Sequence, residues 1–153
     1  MDIKTRPFSS LPEEKRDYLL NSEKTATGFH VCDMRGQFPS FWIFYNDDGE
    51  KGRWLYTISH EIGHIVLRHG SNPTEEQESE AEYFAKQLMA PRCLVAALGM
   101  CSPKVIHDSF GLSWEAATYL SDSTEQILRN RGGKPYANDE EFLNWCVRKG
   151  WLK

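Results

Sequence analysis

The sequence predicts an α+β fold: a small antiparallel sheet packed on two helices that carry the chemistry, followed by a helical C-terminal region. Three observations carry this. Residues 28–35 (GFHVCDMR) and 39–46 (PSFWIFYN) are short, β-branched and aromatic, and a turn-forming run, NDDGEKG, follows the second. Residues 54–69 and 74–90 repeat apolar side chains at helical spacing. Beyond Pro91 come further helix-sized stretches and no β-rich run. The division this suggests is a core over residues 1–91 and a helical region over residues 92–153.

Composition narrows the classes. A chain of 153 residues, 40% apolar and 26% charged, can bury a core without cross-links. No run of 18 apolar residues is present, so no membrane span is expected. The start, MDIKTRPFSS, lacks the apolar stretch of an export signal, which points to the cytoplasm. Cys32, Cys93, Cys101 and Cys146 are scattered, with no C-x-x-C pair, and read as reduced thiols. A net charge of −4 argues against a chain whose main task is gripping phosphate backbones.

In chain order, residues 9–27 open with a short charged helix (LPEEKRDYLL) and pass into a polar loop. Pro39 suits the first residue of a strand. The first long helix is expected from Trp54 to His69, with Gly70 just past its end. Thr74 with Gln77 forms a capping box for the next helix, and Glu75, Glu76 and Glu78 put negative charge on its first turns. Pro91 ends it. SPKVIHDSF and SWEAATYLSDS suggest two short helices joined by Phe110-Gly111-Leu112. RNRGGKP reads as a loop, and Asn138 as the cap of a last helix, DEEFLNWCVRKG.

The stretch WLYTISHEIGHIVLRHG contains H-E-x-x-H. On a helix His60 and His64 differ by about 40° and share one face, so two imidazole nitrogens can reach one ion. Leu55, Ile58, Ile62, Ile65 and Val66 cluster opposite, which places both rings away from the main apolar stripe. Glu61 falls beside the ion, where a carboxylate can take a proton from a metal-bound water. Five residues alone are only moderately specific.

A catalytic zinc needs a third protein ligand and an open position. His69 lies by phase on the apolar side and reads as a structural or helix-end residue. In the second helix the apolar stripe is Ala81, Phe84, Ala85 and Leu88. Glu82 points away from it and pairs with Lys86. Glu78 and Glu80 flank it on its two sides, and helical phase does not separate them.

Two stretches together resemble the ImmA/IrrE family of zinc-dependent peptidases. Arg53, Tyr56, Thr57, Ile58, Ser59, His60, Glu61, Ile62, Gly63 and His64 match the first family motif. Glu80, Ala81, Phe84, Ala85, Leu88 and Pro91 match the second, with Met89 and Ala90 where Leu and Met are commoner. The resemblance covers roughly residues 40–125. It implies a minimal zincin-like metallopeptidase fold. It also implies Zn2+ held by His60, His64 and Glu80, with Glu61 as the catalytic carboxylate. Other zinc peptidases with a glutamate ligand carry a carboxylate four residues after it; after Glu80 that position is Phe84.

The substrate the resemblance implies is a helix-turn-helix repressor of a prophage, mobile element or stress regulon. Tyr56, Tyr83, His107 and Tyr119 are all candidate donors to the scissile carbonyl. Phe38, Phe41, Trp42 and Phe44 are read as strand core before cleft lining. An antirepressor that binds without cutting is the alternative, weighed down by the presence of Glu61. A small DNA-binding regulator is a third reading. Ser102–Leu120 resembles a helix-turn-helix segment, but its one lysine, Lys104, stands against Asp108 and Glu115, so no direct nucleic-acid contact is expected.

Overall fold

A computed structural model describes residues 2–22, 25–132, 134 and 137–152. The chain divides into two compact units, Met1–Leu88 and Met89–Lys153. The fold is α+β, as expected, and no helix among the described residues is long and apolar enough to cross a membrane.

The first unit contains β1 (Asp2–Pro7), a 3-10 turn (Phe8–Ser10), α1 (Glu13–Leu20), β2 (Gly28–Asp33), β3 (Ser40–Tyr45), α2 (Lys51–Leu67) and α3 (Glu75–Met89). The strand order is β1-β3-β2. The two expected strands pair antiparallel, with Gly28 opposite Tyr45 and His30 opposite Ile43. β1 is an addition that makes the sheet mixed: it runs parallel to β3, from Asp2 opposite Ser40 to Pro7 opposite Tyr45. Its sequence, DIKTRP, is half charged and mostly exposed, as suits an edge, where charge discourages further pairing. Lys4 lies over the Trp42 ring at 5.2 Å, so the edge is held by a cation–π contact as well as by the ladder.

Strand alternation gives the sheet two different faces. On one, Phe29 stacks on Phe44 with ring centroids 5.2 Å apart, and Trp42 stacks on Phe44 at 6.5 Å. Trp42 and Phe44, expected as strand core, are half-buried here, and Phe38 is exposed. The other face carries Gly28, His30, Ile43 and Tyr45 and receives α2. There Tyr45 meets Trp54 at 5.5 Å, and a Cβ on Gly28 would lie 2.5 Å from Thr57 Cγ2. Only glycine admits α2 this close to the start of β2.

α2 starts and stops before the residues expected. It begins at Lys51 and ends at Leu67, where Arg68 takes the left-handed conformation, φ 60°. The Arg68 N–H donates to Ile65 O at 3.3 Å and the His69 N–H donates to His64 O at 2.9 Å. This bond pair is the Schellman closure, in which the left-handed position usually goes to glycine. Gly70, expected in that place, stands two residues late. A side chain in this conformation costs about 1 kcal/mol or more. Arg68→Gly is therefore expected to raise unfolding free energy by about 1 kcal/mol in a denaturant titration. A neutral or negative result would mean that the Arg68 side chain compensates.

α3 begins as expected. The Thr74 N–H donates to Gln77 Oε1 at 3.0 Å, the Gln77 N–H donates to Thr74 Oγ1 at 3.3 Å, and Lys86 pairs with Glu82 at 3.2 Å.

The second unit holds α4 (Arg92–Ala97), α5 (Pro103–Phe110), α6 (Trp114–Arg131) and α7 (Ala137–Arg148). Ala90, Val95, Ile106, Ala117 and Leu120 form its core, with Met100, Phe110 and Leu112 packed against it. The α5–α6 turn is closed by His107 Nδ1 on Leu112 O at 2.6 Å and by the Ala116 N–H on Ser113 Oγ at 3.2 Å. α6 runs well past the expected SWEAATYLSDS. Its Ser121 and Ser123, at the end of the expected stretch, are buried hydroxyls: Ser121 donates to Cys101 O and Ser123 accepts from Arg92. The expected RNRGGKP loop shrinks accordingly, and its Gly133 and Pro135 lie outside the described residues. Asn138 sits inside α7 instead of capping it. All four cysteines are free thiols.

Candidate metal centre

The H-E-x-x-H spacing does on α2 what the helical repeat requires. His60 Nε2 and His64 Nε2 come to 3.0 Å, and Glu78 Oε2 of α3 stands 3.2 Å from the first and 3.5 Å from the second. Around one zinc ion with bonds of about 2.0–2.1 Å, tetrahedral ligand atoms sit about 3.3 Å apart. The three separations fit the three edges of one face of such a tetrahedron. Two ring nitrogens that both offer lone pairs repel at this distance, and a shared cation removes that repulsion. The residues present therefore fit a metal ion, and they form a potential ligand group of two histidines and one carboxylate.

The third member of this group is Glu78, where the motif resemblance implies Glu80. Glu80 Oε2 lies instead 3.1 Å from His69 Nε2. The reason is the width of the face that α3 buries. Ala81 and Ala85 are fully buried, whereas Phe84 is only partly covered and Leu88 is 49% exposed. Weighting Phe84 and Leu88 equally with the alanines leaves Glu78 and Glu80 almost symmetric about the stripe. Centred on the alanines, Glu78 is about 40° from the middle and Glu80 about 120°.

Small residues win here because they allow close approach. A Cβ on Gly63 would sit 3.2 Å from both the Cα and the O of Ala81. Gly63 and Ala81 thus form the crossing of α2 and α3, and Glu78, one turn before Ala81, is carried to the histidines. Four residues after Glu78 stands Glu82, a carboxylate.

The histidine face is also more enclosed than the sequence suggested. Ser59, Gly63, His64 and Ile65 are the buried residues of α2, while Val66 is exposed. α2 is covered by the sheet on one side and by α3 on another, so one apolar stripe does not describe it. Burial first, and the neighbouring charge of His60 second, push the His64 imidazole below its ordinary pKa. That favours the neutral ring, the form that binds a metal.

Two further histidines complete the centre: His30, which the sequence reading did not take up, and His69, which it read as a structural or helix-end residue. His30, on β2, places Nδ1 2.6 Å from Glu61 Oε2. Alternation put it on the α2 side of the sheet with Gly28, a signal that was present. His69 places Nδ1 2.9 Å from His64 Nδ1. Phase had put His69 on the apolar side, but α2 stops at Leu67 and phase no longer applies. Of the four candidate donors, Tyr56 is one turn before His60 with its ring 6.3 Å away; burial, then the charge of Glu82, push its phenol pKa up. Tyr83 is exposed on α3, and His107 and Tyr119 belong to the second unit.

A family model, Peptidase M78, the IrrE N-terminal-like domain, matches residues 7–129. The chain belongs to this family. The M78 match runs from the end of β1 through most of α6 and takes in both helices of the candidate metal centre. Membership supports a metallopeptidase-type function, and His60, His64 and Glu78 supply a group able to hold the metal. No curated protein and no solved structure matches the chain.

Proposed function

We propose that this chain is a zinc-dependent endopeptidase, with metal held by His60, His64 and Glu78 and with Glu61 as general base. The observation that carries the reading is the triangle of ligand atoms at 3.0, 3.2 and 3.5 Å, with the Glu61 carboxylate on the next residue of the same helix. Two imidazoles with one carboxylate suit zinc better than magnesium or calcium, which take mostly oxygen. When bound, zinc supplies a Lewis acid for the scissile carbonyl and lowers the pKa of its water toward about 7.

The protein's own groups do the rest. His30 Nδ1–H donates to Glu61 Oε2 and fixes the carboxylate's orientation, leaving Oε1 to take the proton of the attacking water. Glu61 then returns that proton to the leaving amine, base first and acid second. Tyr56, a protonated phenol whose pKa burial raises further, is the favoured donor to the developing oxyanion.

The proposed substrate is a helix-turn-helix transcriptional repressor, met in the cytoplasm, whose cleavage relieves repression. The M78 match and the motif resemblance support this class. The charge of α5 supports a protein partner over DNA: Lys104, the one lysine of Ser102–Leu120, which has no arginine, is already paired with Asp108 at 2.8 Å. The test is to mix the purified chain and zinc with a helix-turn-helix repressor from the same genome, taking one encoded beside the chain first where there is one, and follow the repressor's mass. A single cut, abolished by chelator, is the expected result. Tight binding without a cut would favour the antirepressor reading instead. Neither cutting nor binding would sink the repressor as substrate.

A further inference from the structure

We infer that Glu80 and His69 form a positioning relay behind the metal ligand His64, with Glu80 acting through His69 and not on the metal. This rests on the proposed reading of His60, His64 and Glu78 as the ligands.

Three contacts make a chain. His64 turns Nε2 to the ligand triangle and Nδ1 to His69 Nδ1, 2.9 Å away; His69 turns Nε2 to Glu80 Oε2, 3.1 Å away. A neutral imidazole carries one N–H and one lone pair. If His64 Nε2 gives its lone pair to a metal, its proton is on Nδ1 and donates to His69 Nδ1. That nitrogen must then accept, so the His69 proton is on Nε2 and donates to the Glu80 carboxylate. Each contact has one donor and one acceptor under this assignment. Moving the His64 proton to Nε2 would spoil both the relay and the ligand. The relay therefore selects the His64 tautomer that binds metal and sets the ring's angle.

The backbone supports the same role. His69 is brought back to His64 by the Schellman closure, whose N–H of His69 donates to His64 O, and that closure holds Arg68 at φ 60°. A strained position kept at a non-glycine residue, directly beside a site, is where strain serves placement. The His69 side chain is 4% exposed, enclosed between His64 and Glu80. His60 differs: its Nδ1 is buried with no hydrogen-bond partner among the described residues. The outer shell orients one of the two histidines.

The experiment measures Zn2+ affinity of the full-length chain by competition with a chelator, with the visible spectrum of the Co2+ form as second readout. Outer-shell changes at metal-bound histidines weaken binding by about 10–100-fold. His69→Phe is expected within that range, and Glu80→Ala, half exposed, at its lower end. The double variant should be no weaker than His69→Phe alone, because Glu80 acts through His69. Glu80→Gln should regain most of the affinity, since the amide oxygen still accepts from His69. The Co2+ band should shift in His69→Phe and stay close to wild type in Glu80→Gln.

Complete loss of metal in Glu80→Gln would make Glu80 a direct ligand and overturn the relay. Wild-type affinity in both His69→Phe and Glu80→Ala would overturn it too, whatever their melting temperatures. If His69→Phe does not fold, Glu80→Ala and Glu80→Gln still decide. Glu78→Ala separates the two readings. If it binds metal as wild type does, the ligand assignment has failed; if it loses metal while the His69 and Glu80 variants do not, only the relay has.

Discussion

Glu61→Gln is expected to lower peptide hydrolysis by about 10²–10⁴-fold, the usual contribution of a positioned general base, and to leave about one zinc per chain. The substitution keeps the shape of the side chain and keeps an oxygen for His30, whose Nδ1 lies 2.6 Å from Glu61 Oε2. What it removes is the capacity to take a proton from water and return it to the leaving amine. Because Glu61 is not among the grouped ligand atoms, metal content should be indifferent to the change. Metal per chain by mass spectrometry and initial rates on the repressor measure the two quantities separately. A Glu61→Gln variant that cuts at the wild-type rate would remove Glu61 from the mechanism. A variant that loses metal along with activity would mean that Glu61 supports the site structurally.

What could be read in the sequence follows from how local each feature is. The capping box of Thr74 and Gln77 and the pair of Glu82 and Lys86 each depend on residues within one helical turn, and both are present. The spacing of His60 and His64 is equally local. β1 was not legible because DIKTRP has no apolar alternation; only its place beside β3, some forty residues away in sequence, makes it a strand. The left-handed Arg68 carries no side-chain signal, so the end of α2 was set too late and His69 was assigned a helical phase it does not have. His30 and Glu61 meet across 31 positions, a distance no periodicity spans. The choice between Glu78 and Glu80 turned on whether two alanines or the larger Phe84 and Leu88 define the buried face of α3. Burial usually follows size, but a helix crossing at Gly63 selects for the small residues.

The same crossing yields the second large effect. Glu78→Ala is expected to weaken zinc binding by well over 100-fold, beyond the range of outer-shell changes, because one of three protein ligands is gone. His60→Ala and His64→Ala should behave alike. Glu82→Ala should leave affinity unchanged, since its carboxylate is occupied with Lys86. Glu80→Ala should fall between, through His69. The order Glu78, Glu80, Glu82 is thus a direct reading of the rotation of α3 about its axis. A rotation of about 160°, which would put Glu80 where Glu78 stands, would carry Ala81 away from Gly63 and bring bulkier side chains against a position where even a Cβ would be 3.2 Å from its neighbours. The test is isothermal titration of the three metal-free variants with zinc beside wild type. If Glu80→Ala loses the metal and Glu78→Ala retains it, α3 is turned the other way when metal is bound, and Glu80 is the ligand that the motif resemblance implied.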